Sequence, residues 1–136
     1  MRFMLCASLF NVGTFMQIIA LDHVQLAMPE GQEQKARDFY GSTLGFAEVP
    51  KPENLAARGG CWFENGAIRL HLGVERPFAP ARKAHPAFLV DNLHNTIAHL
   101  TRAGIETIGD EPLHGYERCY IHDPFGNRIE LMQKIA

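Results

Sequence analysis

The chain is poor in cysteine. Cys6, Cys61 and Cys119 are odd in number and widely spaced among 136 residues. That pattern excludes a disulfide framework and leads us to expect a reducing, cytoplasmic compartment. A surplus of one charge is also missing, the formal net charge being −2. This excludes the electrostatic footprint of a nucleic-acid or anionic-membrane partner. A long unbroken hydrophobic run is missing too. The opening "MRFMLCASLFNVGTFMQIIALDH" is apolar with one early arginine, but Asn11, Gly13 and Thr14 interrupt it. It is too broken to span a membrane, and it has no convincing small-residue cleavage site. Residues 1–15 are read as a peripheral extension and 16–136 as a single domain. There is no phosphate-binding glycine loop, no Ser-His-Asp arrangement and no nucleic-acid signature.

What is present is an ordinary globular composition, 46% hydrophobic and 21% charged, in a chain long enough to bury a core. The elements come twice in one order. A first strand is expected over 17–28. A helix follows in "GQEQKARDFYGSTLGF", where Ala36, Phe39, Tyr40 and Leu44 share one face and Gly45 suits the exit. A short extended piece at 46–50, a loop at 50–59 and strands at 60–64 and 67–74 come next, with Asn65-Gly66 as the hairpin turn. After a linker at 75–84 the order repeats. A strand is expected at 85–90, then a helix in "DNLHNTIAHLTRAG" with Asp91 as cap and Gly104 as stop. A short strand near 105–108 and strands at 117–122 and 128–133 complete the set, the last two flanking a DPFGN turn. The pattern predicts an α+β fold of two βαβββ modules, about 17–75 and 83–133.

Each strand has an apolar face and a polar one. The polar positions are His23 and Gln25; Arg69 and His71; His85; Arg118, Tyr120 and His122; and Glu130. Solvated strand faces usually favour Lys, Thr, Glu and Ser, but no lysine falls within any of these strands. Three histidines and a glutamate are ligand types for a divalent metal. Arg69, Arg118 and Tyr120 are candidates to hold an anionic or polar substrate group. Trp62 is read as core or cavity wall, His94 and His99 as solvent-facing, and Cys119 as buried and inert. His114 and Tyr116 lie in a loop that could cover a cavity mouth.

"LDHVQLAM", "FYGSTLGF", "KAHPAFLV" and "YIHDPFGNRIELM" together resemble the vicinal oxygen chelate superfamily, over residues 20–133. That superfamily includes glyoxalase I, extradiol dioxygenases, fosfomycin resistance enzymes and bleomycin resistance proteins. The resemblance implies curled mixed sheets around a metal-binding cavity. It carries the metal roles to His23, His85 and Glu130. His71 falls where glyoxalase I has a glutamate serving as ligand and base, so His71 and Glu130 become the catalytic candidates. Histidine there departs from glyoxalase I. Gln25, in place of the fosfomycin enzymes' threonine, and the loop "GDEPLHGY" depart from those enzymes. The implied function is a metal-dependent lyase or isomerase acting on a small oxygenated metabolite, with Zn, Ni, Mn or Fe as the ion. The alternatives are an extradiol-type dioxygenase or a drug-binding resistance protein, although bleomycin-binding relatives lack the metal ligands. Relatives of this size imply a homodimer whose site draws His23 from one chain and His85 and Glu130 from the other.

Overall fold

The computed structural model of the chain describes residues 15–135. Cys6 and all but the last residue of the expected extension lie outside them. Strand β1 (Val24–Met28) leads into helix α1 (Glu33–Ala36), which continues as a π-helical stretch (Arg37–Thr43). Then come β2 (Ala47–Val49), a single turn α2 (Glu53–Ala56), β3 (Cys61–Asn65) and β4 (Ile68–Val74). The second module holds β5 (Ala87–Leu89), α3 (Leu93–Arg102), β6 (Tyr116–His122) and β7 (Arg128–Lys134). Two mixed sheets result, ordered β1-β4-β3-β2 and β5-β7-β6. In each, the module's first strand runs parallel to its last. The fold is α+β, built from two βαβββ-like modules.

Several boundaries differ from the sequence reading, each for a physical reason. β1 begins at Val24 rather than 17. The register sets Val24 opposite Leu70, so residues 17–21 run past the start of β4 and join no ladder. β5 is shorter than 85–90, because Pro86 has no N–H for the ladder. The Glu130 N–H still bonds the Pro86 carbonyl at 3.0 Å and the Val90 N–H the Met132 carbonyl at 2.7 Å. The hairpin turn is Gly66-Ala67, not Asn65-Gly66, since Asn65 pairs with Ile68. Gly66 takes φ +59°, the positive value a tight hairpin demands at its first central position. The cap of α3 is Asn92, one residue after Asp91; its side chain accepts the Asn95 N–H at 2.8 Å. Residues 105–108 contribute a single bridge, Ile108 to Tyr120, so the second sheet has three strands rather than four.

One hydrophobic core takes residues from both modules, among them Leu26, Phe39, Phe63 and Leu72 from the first and Leu100, Ile121, Ile129 and Leu131 from the second. The DPFGN turn joins the two halves. Asp123 and Asn127 are buried. The Tyr40 hydroxyl donates to Asp123 Oδ2 at 2.6 Å. Asn127 Nδ2 donates to the Ala27 carbonyl at 2.8 Å, and Asn127 Oδ1 accepts the Ala81 N–H at 3.0 Å. A buried polar pair is stable only when its bonds are satisfied, and here the bonds come from β1, the π-helical stretch and the linker. The modules are thereby held in one relative position, with the polar faces of both sheets turned away from the shared core. Among the described residues no helix is long and apolar enough to cross a membrane.

Candidate functional site

On the first sheet the register sets Gln25, His71 and Trp62 in one row across β1, β4 and β3. Alternation puts His23 and Arg69 on that same face. The three rings form a stack. Trp62 and His71 lie 3.9 Å apart at 3°, and His71 and His23 lie 4.2 Å apart at 18°. His71 is buried. Burial first, and then the neighbouring His23 ring, lower its pKa below 6.5, which keeps a lone pair on the ring. Asp22 accepts from His23 Nδ1 at 3.0 Å, and Arg69 Nη1 holds the same carboxylate at 2.9 Å. Arg69 is therefore engaged in orienting Asp22 rather than standing free for a substrate.

On the second sheet Ala87, Glu130 and Tyr120 share a row, and alternation adds His85, Arg118 and Arg128 to that face. His85 Nε2 lies 2.9 Å from Glu130 Oε1. Arg118 Nη1 donates to Glu130 Oε2 at 3.2 Å and to the Tyr120 hydroxyl at 2.9 Å. Glu130 is buried, so the carboxylate at the centre of this terminal strand is balanced by a guanidinium and an imidazole rather than by water. The hydrogen bond to Glu130, foremost, raises the Arg118 pKa above its usual value. Arg118 Nη2 also donates to the Glu111 carbonyl at 2.7 Å, which draws the 109–116 loop against this face. Arg128 stacks over the Tyr120 ring at 3.9 Å.

The expected ligands thus fall into two half-sets, His23 with His71 and His85 with Glu130. Among the described residues of one chain, no group of three His, Cys, Asp or Glu could hold a metal ion. The donors nevertheless fit a divalent ion in kind, two or three imidazoles with one carboxylate. They also fit in orientation. The Lys83 carbonyl accepts from His85 Nδ1 at 2.8 Å, as Asp22 does from His23 Nδ1. Fixing Nδ1 on an acceptor frees Nε2 for a ligand role. Sequence reasoning missed both orienting groups. Asp22 leaves a signal as the carboxylate beside His23; a backbone carbonyl leaves none.

Of the other residues singled out, His94 and His114 are exposed. His99 is exposed too, but its Nε2 bonds the Thr43 carbonyl at 2.8 Å, tying α3 to the end of the π-helical stretch. Tyr116 opens β6 and is half-buried.

A fold of two βαβββ-like modules, with imidazoles and a carboxylate on the polar sheet faces, defines a class. A model of the Glyoxalase/Bleomycin resistance protein/Dioxygenase superfamily matches residues 20–131, and the chain belongs to that superfamily. It is similar to a glyoxalase family protein from Bacillus anthracis of known crystal structure, at 48% identity and a TM-score of 0.86, covering 90% of this chain and 100% of that one. The fold is shared with FosX, a genomically encoded fosfomycin resistance protein from Listeria monocytogenes, at 15% identity and a TM-score of 0.70, covering 88% of this chain and 96% of that one. It is shared also with TnmS3, an antibiotic binding protein from Streptomyces sp. CB03234, at 23% identity and a TM-score of 0.69, covering 89% and 100%. No curated protein matches the chain.

Proposed function

We propose that the chain is a metal-dependent enzyme of the glyoxalase kind, a lyase or isomerase acting on a small oxygenated metabolite. The supporting observation is the pair of half-sets, each with a histidine whose Nδ1 is held by an acceptor. Two copies of the chain supply a complete site, with His23 and His71 from one chain and His85 and Glu130 from the other. The two sheets then curl around a common cavity. A divalent ion held by His23, His71, His85 and Glu130 would supply Lewis acidity, offsetting negative charge that develops on substrate oxygen when a proton leaves carbon.

The chain's own residues do the rest. Glu130 and His71 are the groups able to accept or return the proton, the first as a carboxylate, the second as an imidazole kept neutral by burial. Arg118 and the Tyr120 hydroxyl, already joined to each other, present donors to a polar or anionic substrate group. The Trp62–His71–His23 stack forms a wall that excludes water from one side. The test is metal analysis of protein purified without chelator, followed by assays with hemithioacetals and catechols. Stoichiometric metal and turnover of a hemithioacetal support the reading. Catechol cleavage would reassign the chemistry to a dioxygenase. Protein without metal that binds a drug would make it a sequestering protein.

A further inference from the structure

A hollow of about 260 Å³ opens on the same face of the first sheet, lined by Gln25, Lys51, Leu55, Arg58, Trp62 and Gly73 among others. It continues the row that carries His71, sharing Gln25 and Trp62 with it. Its chemistry is one-sided. Two cations line it, and no carboxylate does. None of the ion pairs among the described residues includes Lys51 or Arg58. The Lys51 ammonium donates to the Gly59 carbonyl, which leaves two of its three donors uncommitted. Glu33 reaches the adjoining turn, but its Oε2 accepts the Gly60 N–H at 2.9 Å and it does not line the hollow. Gly73 lets the Gln25 amide lie over the strand: a Cβ at that position would sit 2.4 Å from Gln25 Nε2.

We infer that this hollow is an anion subsite, taking a compact oxyanion group such as a carboxylate, phosphate or phosphonate. Its volume falls below the roughly 300–1,000 Å³ of pockets that enclose whole drug-sized ligands, so it holds the end of a molecule rather than all of one. Lys51 and Arg58 supply charge-assisted hydrogen bonds, the Gln25 amide a third donor, and the Trp62 flank an apolar side. That the anion is the far end of the substrate rests on the metal reading above; the subsite itself does not.

Trp62 is the only tryptophan in the chain, so its fluorescence reports directly on the hollow. Inorganic phosphate is titrated into chelator-treated, metal-free protein, with sodium chloride at equal ionic strength as the control. A saturable change is expected. Arg58→Gln and Lys51→Gln should each weaken it on the order of tenfold, the value of one charge-assisted hydrogen bond. Arg58→Lys should retain most of it, and Arg102→Gln, an exposed cation at the end of α3, should leave it unchanged. A wild-type response that does not saturate, or one equal in both glutamine variants, overturns the subsite. So does a response that appears only when metal is restored, because the anion would then sit on the ion. Absence of metal from the purified protein defeats the proposed function and leaves the outcome of this titration readable.

Discussion

His85 Nε2, two residues before β5, and Glu130 Oε1, on the parallel neighbour β7, meet at 2.9 Å. Each is fixed from behind, His85 by the Lys83 carbonyl and Glu130 by the Arg118 guanidinium. A ring nitrogen and a carboxylate oxygen are donor types that a divalent cation takes, and on the function proposed above this pair is one half of the metal site.

Glu130→Gln should therefore abolish stoichiometric metal. The amide oxygen still accepts from Arg118, so the thermal midpoint should fall by only about 3–5 °C, the shift of roughly 1 kcal/mol in a chain of this size. Glu130→Ala should lower it further, since Arg118 would then face the cavity without that partner. Metal analysis and thermal melts separate the two effects. Full metal occupancy in Glu130→Gln would remove this residue from the ligand set.

His71→Phe keeps a flat ring between Trp62 and His23 but removes the nitrogen donors. It should melt close to the wild type and hold metal at least tenfold more weakly if His71 is the fourth ligand. His71→Ala should lower both stability and metal affinity, because it also empties the middle of the stack. Unchanged metal affinity in His71→Phe would leave His71 as cavity wall only.

The Tyr40–Asp123 hydrogen bond gives a pH-dependent signature. Burial, and then the Asp123 carboxylate, raise the Tyr40 pKa well above 10.0. A group whose folded pKa is raised contributes stability that is complete below its unfolded value and is lost as pH rises toward the folded one. Wild-type stability should thus decline above about pH 10. Tyr40→Phe should cost about 1–3 kcal/mol at neutral pH, because Asp123 loses a buried donor, and it should show a smaller alkaline decline. Denaturant melts at pH 8 and above pH 10 check both. A parallel decline in the two proteins would assign the alkaline loss to other groups.

The two described cysteines should be silent. Cys61 and Cys119 are free and buried. Burial, foremost, lifts the Cys61 thiol to about 11 and raises that of Cys119. A thiol reagent should modify both only as the chain unfolds. Rapid modification of either in native protein would mean that its sheet opens locally.

The strand faces were legible because a period of two is a local property. Whichever ladder Glu130 joined, Ile129 and Leu131 had to point the other way. Features set by partners distant in sequence were not. Nothing in residues 37–43 distinguishes a π-helical from an α-helical winding; the spacing of Phe39 and Tyr40 serves either. The hairpin moved by one residue because cross-strand pairing of Asn65 with Ile68 outweighed the preference for Asn-Gly in the turn. Residues 105–108 read as a strand but make one bridge, since the following loop is drawn aside to Arg118. Lys51 and Arg58 fall in the loop at 50–59 with no sequence signal to join them; the fold brings both to one hollow. The proposed completion of the donor set by a second chain would be less legible still, because it would be a property of assembly.

That assembly leads to the last prediction. Each chain offers two half-sets and, among its described residues, no group of three donors. Each of its sheets ends in an edge strand, β1 in one and β5 in the other. An unpaired edge invites a partner, and closed twofold symmetry is the commonest solution. If the partner supplies the missing half-set, His23→Ala and Glu130→Gln should each lose metal alone yet complement one another. Unfolded together and reassembled, they form heterodimers about half the time, and one of the two sites in each heterodimer draws both of its half-sets from unaltered residues. About a quarter of wild-type metal content should return, on the symmetric-assembly argument. Mass measurement in solution shows whether heterodimers form. Heterodimers without recovered metal would place each site within one chain, and a monomer would remove the shared site.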